Sequence, residues 1–103
     1  MLERQLATKF RREFIKLFPD AFYYKIPDAR GLGGQRPFDV VALVSCRFFA
    51  IEFKRGSKNV ATPYQYHNLL IAERNGASIF VVNEDNWRYK LDQIEEMING
   101  NKP

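Results

Sequence analysis

The chain has little of several residue types whose chemistry can be read straight from sequence. Of its 103 residues one is cysteine, Cys46, so no internal disulfide and no multi-cysteine zinc site is possible. One is histidine, His67, which with a single cysteine makes an all-protein transition-metal site improbable. No apolar run approaches the length needed to cross a bilayer, and no signal-peptide pattern opens the chain. No internal repeat and no low-complexity linker is present. A cytoplasmic setting without membrane attachment is therefore expected. What is abundant is apolar and aromatic: 46% and 15% of residues, which excludes intrinsic disorder. At 12.1 kDa residues 1–103 are expected to form one domain around one core.

The net charge of +4 is unevenly placed. The first sixteen residues carry five basic side chains against two acidic, and Lys25 to Val60 carry seven against three. From Glu84 to Glu96 the balance reverses to five acidic against two basic. A basic front with an acidic tail suits a polyanionic partner such as nucleic acid, although an ordinary solvated surface also accounts for it.

Leu6, Phe10, Phe14 and Leu17 recur at helical spacing and predict a helix over residues 3–17, stopped by Pro19. Ala21 to Ile26 reads as a strand, and Pro27 to Pro37, with three Gly and two Pro, as a loop. Phe38–Val44 and Arg47–Lys54 are strand-like runs separated only by Ser45 and Cys46, the pattern of a tight hairpin. A basic loop from Arg55 to Ala61 precedes a second helix. Thr62 fits its N-cap, Pro63 its first position, Gln65 its capping box and Gly76 the residue after its end. Ser78–Val82 is a buried strand, and Asn83–Asn86 a turn. Trp87–Tyr89 is expected as a short edge strand and Leu91–Asn99 as a last helix. The fold class is α/β (α+β): an α-β-β-β-α-β core whose mixed sheet is flanked by helices, followed by a short C-terminal strand and helix.

A two-residue turn at Ser45 and Cys46 fixes the hairpin register. Val44 then faces Arg47, Val41 faces Ala50, and Asp39 faces Glu52, with Lys54 two residues further on the same face. Two carboxylates held at cross-strand distance repel, and a divalent cation is the usual reason for such a pair. Hard oxygen ligands suit Mg²⁺ or Mn²⁺. A metal, a lysine and a basic surround together suit phosphodiester hydrolysis. The competing reading pairs both acids with arginine or lysine on a solvated surface. The apolar flanks Val40–Val44 and Phe48–Ile51 argue for burial instead. A slip of one residue would place Asp39 on the opposite face from Glu52.

Pro37-Phe38-Asp39, followed thirteen positions later by Glu52-Phe53-Lys54, resembles the motif of the PD-(D/E)XK nuclease superfamily. The likeness runs from about Leu2 to Val82 and looks closest to the small resolvase-like branch, which includes Holliday-junction resolvases and VRR-NUC domains. Phe38 separates Pro37 from Asp39 where many members have adjacent residues. Pro27-Asp28 has the literal dipeptide but leads into Gly31-Leu32-Gly33-Gly34, not a strand. The resemblance implies a restriction-endonuclease-like core and an Mg²⁺-dependent (or Mn²⁺-dependent) DNA endonuclease. Asp39, Glu52 and the Phe53 carbonyl would hold the metal, Lys54 would position the attacking water, and Gln65 would support the site. It also implies a glutamate from the first helix. Glu3 falls on that helix's apolar face and is preferred to Glu13 at its edge, although first-turn charge complementarity explains Glu3 as well. Gln65 has its capping role as an alternative. Arg36, Arg55 and Lys58 are expected phosphate contacts, while His67 and Cys46 are read as structural or inert. DNA, double-stranded or branched (a Holliday junction among the possibilities), is the expected partner, and a homodimer the expected assembly. The alternatives are a non-catalytic nucleic-acid-binding module or a subunit of a larger DNA-processing assembly.

Overall fold

The computed structural model describes residues 2–27, 36–56 and 60–100. Its elements run α1 (Glu3–Leu17), β1 (Phe22–Lys25), β2 (Val40–Val44), β3 (Arg47–Phe53), α2 (Pro63–Arg74), β4 (Ser78–Val82) and α3 (Trp87–Asn99). The strands form one mixed sheet in the order β1-β2-β3-β4. β1 and β3 each pair antiparallel with β2, and β4 lies parallel to β3 across the α2 crossover.

The sheet separates two apolar clusters. Leu6, Phe10 and Phe14 of α1 and Leu91 and Ile94 of α3 pack with Val40, Phe49, Ile51, Phe53, Phe80 and Val82 on one face. On the other face Leu69 of α2 packs with Phe38 and Ala50, flanked by Val41, Ile79 and Val81. Successive residues of β2, β3 and β4 alternate between the two clusters, as the pleat requires.

Ser45 and Cys46 both have positive φ, 49° and 67°, the pair of left-handed residues that a two-residue type I′ hairpin needs. The register is the expected one from Val44↔Arg47 through Val40↔Ile51. α2 begins as its sequence requires: Thr62 accepts from Gln65 N at 3.2 Å, and Gln65 Oε1 accepts from Thr62 N at 3.0 Å. Gly76, with φ of 102°, follows the helix end.

The expected C-terminal strand is not formed. Trp87 opens α3, four residues ahead of the expected start at Leu91. Asn83 Oδ1 accepts from the backbone N–H groups of Asp85 and Asn86 at 2.9 and 2.8 Å, and Asn86 Oδ1 accepts from Asn83 N at 2.8 Å. This side-chain-closed turn delivers the chain straight into a helix. Trp87, Leu91, Ile94 and Ile98 then repeat at helical spacing and all pack on the core. Tertiary burial of that stripe overrides the strand preference of Trp87 and Tyr89. The loop expected over Asp28 to Gln35 and that over Ser57 to Asn59, with the phosphate contact expected at Lys58, lie outside the described residues.

Candidate active site

β2 starts one residue after Asp39 and β3 ends one residue after Glu52, so antiparallel pairing carries both acids to the same end of the sheet. Asp39, however, leaves the regular ladder. Its carbonyl accepts from Ile26 N at 2.8 Å on the β1 side, while its N–H donates to Ile51 O at 3.0 Å on the β3 side. In an undisturbed antiparallel strand both groups would serve the same neighbour. Ile51 already opposes Val40, so two residues of one strand stand against one of the other, which is a β-bulge. The expected direct opposition of Asp39 and Glu52 is thereby altered. The bulge re-aims the Asp39 carboxylate across the strand end. Its Oδ2 accepts from Phe53 N at 2.7 Å, and its Oδ1 pairs with Arg36 Nη2 at 3.0 Å.

The two carboxyl groups still meet, within hydrogen-bonding reach of each other. Both are buried, Asp39 at 9% exposure and Glu52 at 2%. Burial first, and the neighbouring Asp39 charge second, push the Glu52 carboxyl from its ordinary 4.5 up to about 8. Lys54 pulls the other way, with Nζ 3.4 Å from Glu52 Oε2. Gln65 Nε2 donates to the same Oε2 at 2.7 Å. The two roles weighed for Gln65 are thus filled together: its oxygen caps α2 and its nitrogen holds Glu52. Glu52 Oε1 is buried with no hydrogen-bond partner among the described residues. Two ionised carboxylates are both acceptors, so a proton or a cation is the species that would satisfy this arrangement.

Glu3 is exposed, not buried on the apolar stripe, because the first turn of α1 projects past the core residue Leu6. Its Oε1 accepts from Arg55 N at 3.1 Å, tying α1 to the chain segment just after Lys54. Glu13 is engaged elsewhere, with Lys16 at 3.2 Å, Arg88 of α3 at 3.5 Å and Arg12 at 3.6 Å; the Lys16 hydrogen bond is the main reason its carboxyl lies below the usual range. His67 and Cys46 are exposed and take no part in the acid pair.

Asp39 also borders a cleft of about 390 Å³ between α1 and the β1–β2 edge of the sheet. Arg4, Arg11, Lys25 and Arg36 line it with Glu3 and Tyr23. Arg36 is committed to Asp39, whereas Arg4, Arg11 and Lys25 have no ion-pair partner among the described residues. Burial pushes the Tyr23 phenol far above its ordinary value, so the hydroxyl stays protonated. Arg4, Arg11, Tyr23 and Lys25 were not singled out from sequence; for the two arginines the signal was the five-to-two basic excess of the first sixteen positions, which lacked a location until α1 lay beside β1.

Among the described residues no three His, Cys, Asp or Glu side chains converge on one point. The donor set is therefore two carboxylates with the Phe53 peptide between them, which fits a hard cation that takes its remaining ligands from water and substrate. Fold and site together define a mixed α/β domain with a buried acid pair, a lysine and a glutamine at one sheet end beside a basic cleft. Comparison with protein-family models, with curated proteins and with solved structures finds no match for this chain.

Proposed function

We propose that the protein is a divalent-metal-dependent endonuclease that hydrolyses phosphodiester bonds in DNA, with selectivity for branched structures as the finer expectation. One observation carries the reading: Glu52, 2% exposed, is held against a second carboxyl with one of its oxygens unpartnered among the described residues. A fold gains nothing from that pair in isolation. Asp39 and Glu52, with the Phe53 carbonyl, would hold Mg²⁺ or Mn²⁺. When bound, the ion would supply Lewis-acid activation of water and stabilisation of charge on the phosphate.

The remaining roles fall to the chain's own residues. Gln65 fixes the orientation of the Glu52 carboxylate. Lys54, its ammonium beside Glu52, holds the attacking water or a phosphate oxygen through a compact point charge. Arg36 offsets the Asp39 charge while the site is without substrate. Arg4, Arg11 and Lys25 hold backbone phosphates along the cleft that leads to Asp39, and Arg55 and Lys58 remain candidate phosphate contacts. The motif resemblance implies the roles given to Asp39, Glu52, the Phe53 carbonyl, Lys54 and Gln65.

The test is single-turnover cleavage of labelled four-way junctions, flaps and linear duplexes in Mg²⁺, Mn²⁺, Ca²⁺ or EDTA, beside binding of the same DNAs in Ca²⁺. Cleavage in Mg²⁺ or Mn²⁺ that is lost in EDTA is expected. Tight binding without cleavage under any metal would replace this reading with a non-catalytic nucleic-acid-binding module.

A further inference from the structure

We infer that Arg36 is a displaceable counter-ion. It holds the Asp39 oxygen that a divalent cation needs, and a DNA phosphate in the cleft draws it off, so that the cation and DNA each raise the protein's affinity for the other. This deepens the reading above and rests on its cation site at Asp39 and Glu52.

The carboxylate oxygens show where the competition lies. Asp39 Oδ2 accepts from Phe53 N at 2.7 Å, and Glu52 Oε2 accepts from Gln65 Nε2 at 2.7 Å. Both donors are neutral, and a neutral donor can stay on a carboxylate that also holds a metal. Asp39 Oδ1 instead pairs with Arg36 Nη2 at 3.0 Å. A guanidinium and a divalent cation on one oxygen are like charges at contact distance, in a site buried enough to screen them poorly. Only Glu52 Oε1 has no hydrogen-bond partner among the described residues. With Oδ2 engaged by the Phe53 peptide, Oδ1 is the Asp39 oxygen left to share an ion with it, and Arg36 holds that oxygen.

Charge balance points the same way. Ionised, the acid pair carries two negative charges, and Arg36 and Lys54 supply two positive ones. A divalent cation added to that set leaves an excess of two, which a buried site does not sustain. A cation has to leave or anions have to arrive. Arg36 is the freer to leave: its side chain is 31% exposed against 14% for Lys54. Its second contact, from Nη1 to Ile26 O at 3.4 Å, is long for a hydrogen bond.

The cleft supplies the destination. Arg36 lines it with Arg4, Arg11 and Lys25. Cations along one cleft repel, which favours Arg36 turned onto Asp39 until a phosphate enters. A phosphodiester takes a guanidinium through paired N–H donors as a carboxylate does. The anion brought by DNA thus frees Oδ1 and offsets the charge of the incoming ion. By linkage, whatever factor DNA adds to cation affinity, the cation adds to DNA affinity.

Calorimetric titration of Mn²⁺ into metal-stripped parent, Arg36→Ala and Arg12→Ala, at one pH and without DNA, measures the competition. Arg36→Ala is expected to bind Mn²⁺ about tenfold more tightly than the parent, within the roughly 5- to 150-fold span of ordinary site coupling. A gain of affinity cannot come from a damaged fold. Arg12→Ala removes a cation of α1 that pairs with Glu13 outside the cleft, and is expected to match the parent. If Arg36→Ala fails to fold, Arg36→Gln reads the same affinity, keeping a donor but not the charge. Fluorescence anisotropy of a labelled duplex with and without Ca²⁺, at constant ionic strength, then measures the coupling. Ca²⁺ is expected to raise DNA affinity in the parent by a factor about tenfold larger than in Arg36→Ala, where only the ion's own contact with phosphate remains. Arg36 variants that bind Mn²⁺ no more tightly than the parent, or equal Ca²⁺ factors in the two proteins, overturn the inference. Cleavage in Mg²⁺ beside either of those results leaves the endonuclease reading standing. The expected affinities without cleavage under any metal uphold the Arg36 exchange and remove the endonuclease.

Discussion

A carboxyl that is 2% exposed and faces another carboxyl is under opposing demands as pH changes. In the folded chain Glu52 titrates near 8, and in the unfolded chain near its ordinary 4.5. Between those values the folded state keeps a proton that the unfolded state has released. Stability of the metal-free protein is therefore expected to fall as pH rises from about 4.5 to about 8, with the Glu52 contribution intact below that window. Glu52→Gln is expected to flatten this slope and to melt above the parent at pH 8 in EDTA. Mn²⁺ is expected to raise the melting temperature of the parent by mass action, and Asp39→Asn to abolish that rise. An Asp39→Asn protein that binds Mn²⁺ as the parent does would remove Asp39 from the site. Lys54 is separable from both acids, because an interaction made only in the transition state lowers turnover and spares binding. Lys54→Ala is expected to keep DNA affinity within a few-fold in Ca²⁺ and to lose about a hundredfold or more in single-turnover rate, the scale of deleting one electrostatic catalytic group. Lys54→Arg is not expected to restore it, because a planar guanidinium does not replace a compact ammonium.

At the scale of elements, turns and caps decide what the strands and helices present. Cys46 occupies a left-handed position at φ of 67° that costs a residue with a Cβ on the order of 1 kcal/mol. Cys46→Gly is expected to stabilise the fold by about that amount, read from denaturant midpoints, with the hairpin register unchanged. Thr62→Ala is expected to cost about 1 kcal/mol by uncapping α2, while Gln65→Ala loses the cap and the Glu52 hydrogen bond and is expected to lower cleavage too. A Gln65→Ala protein with parental cleavage would reduce Gln65 to a capping residue. These elements were legible because local chemistry specifies them: the stripe of Leu6, Phe10 and Phe14, the two-residue turn, and the Thr62-Pro63 start of α2. Trp87 was misread because three residues cannot distinguish strand from helix, although its spacing to Leu91, Ile94 and Ile98 held the answer. The bulge at Asp39 was not legible at all. It depends on backbone groups of Ile26 and Ile51, which residue types do not reveal. Glu3 was preferred to Glu13 for a place on the apolar face of α1, but it is exposed and accepts from the backbone N–H of Arg55, fifty-two residues away, a contact that helical spacing does not reveal.

At the scale of the whole molecule, the distribution of charge sets where a polyanion would lie. Sequence alone directed attention to the loops flanking the hairpin, at Arg36 before it and at Arg55 and Lys58 after it. Folding brings Arg4 and Arg11 of α1 to Lys25 of β1, along one cleft that ends at Asp39. Phosphate contacts by these three side chains would release counterions, so each would add to the steepness with which log K falls against log salt, at roughly 0.9 per phosphate neutralised on duplex DNA. The triple variant Arg4→Ala, Arg11→Ala, Lys25→Ala is therefore expected to reduce that slope by about 2 to 3 and to weaken binding uniformly across sequences. Arg55→Ala alone is expected to change it by no more than about 1. The measurement is fluorescence anisotropy of a labelled duplex and a four-way junction in Ca²⁺ over a range of salt concentrations, using Lys54→Ala protein so that no substrate is consumed. Circular dichroism of the triple variant guards against a folding defect, which the exposure of all three residues makes improbable. A triple variant with the parental slope would move the DNA surface off the α1–β1 cleft, to the side of the sheet end where α2 begins.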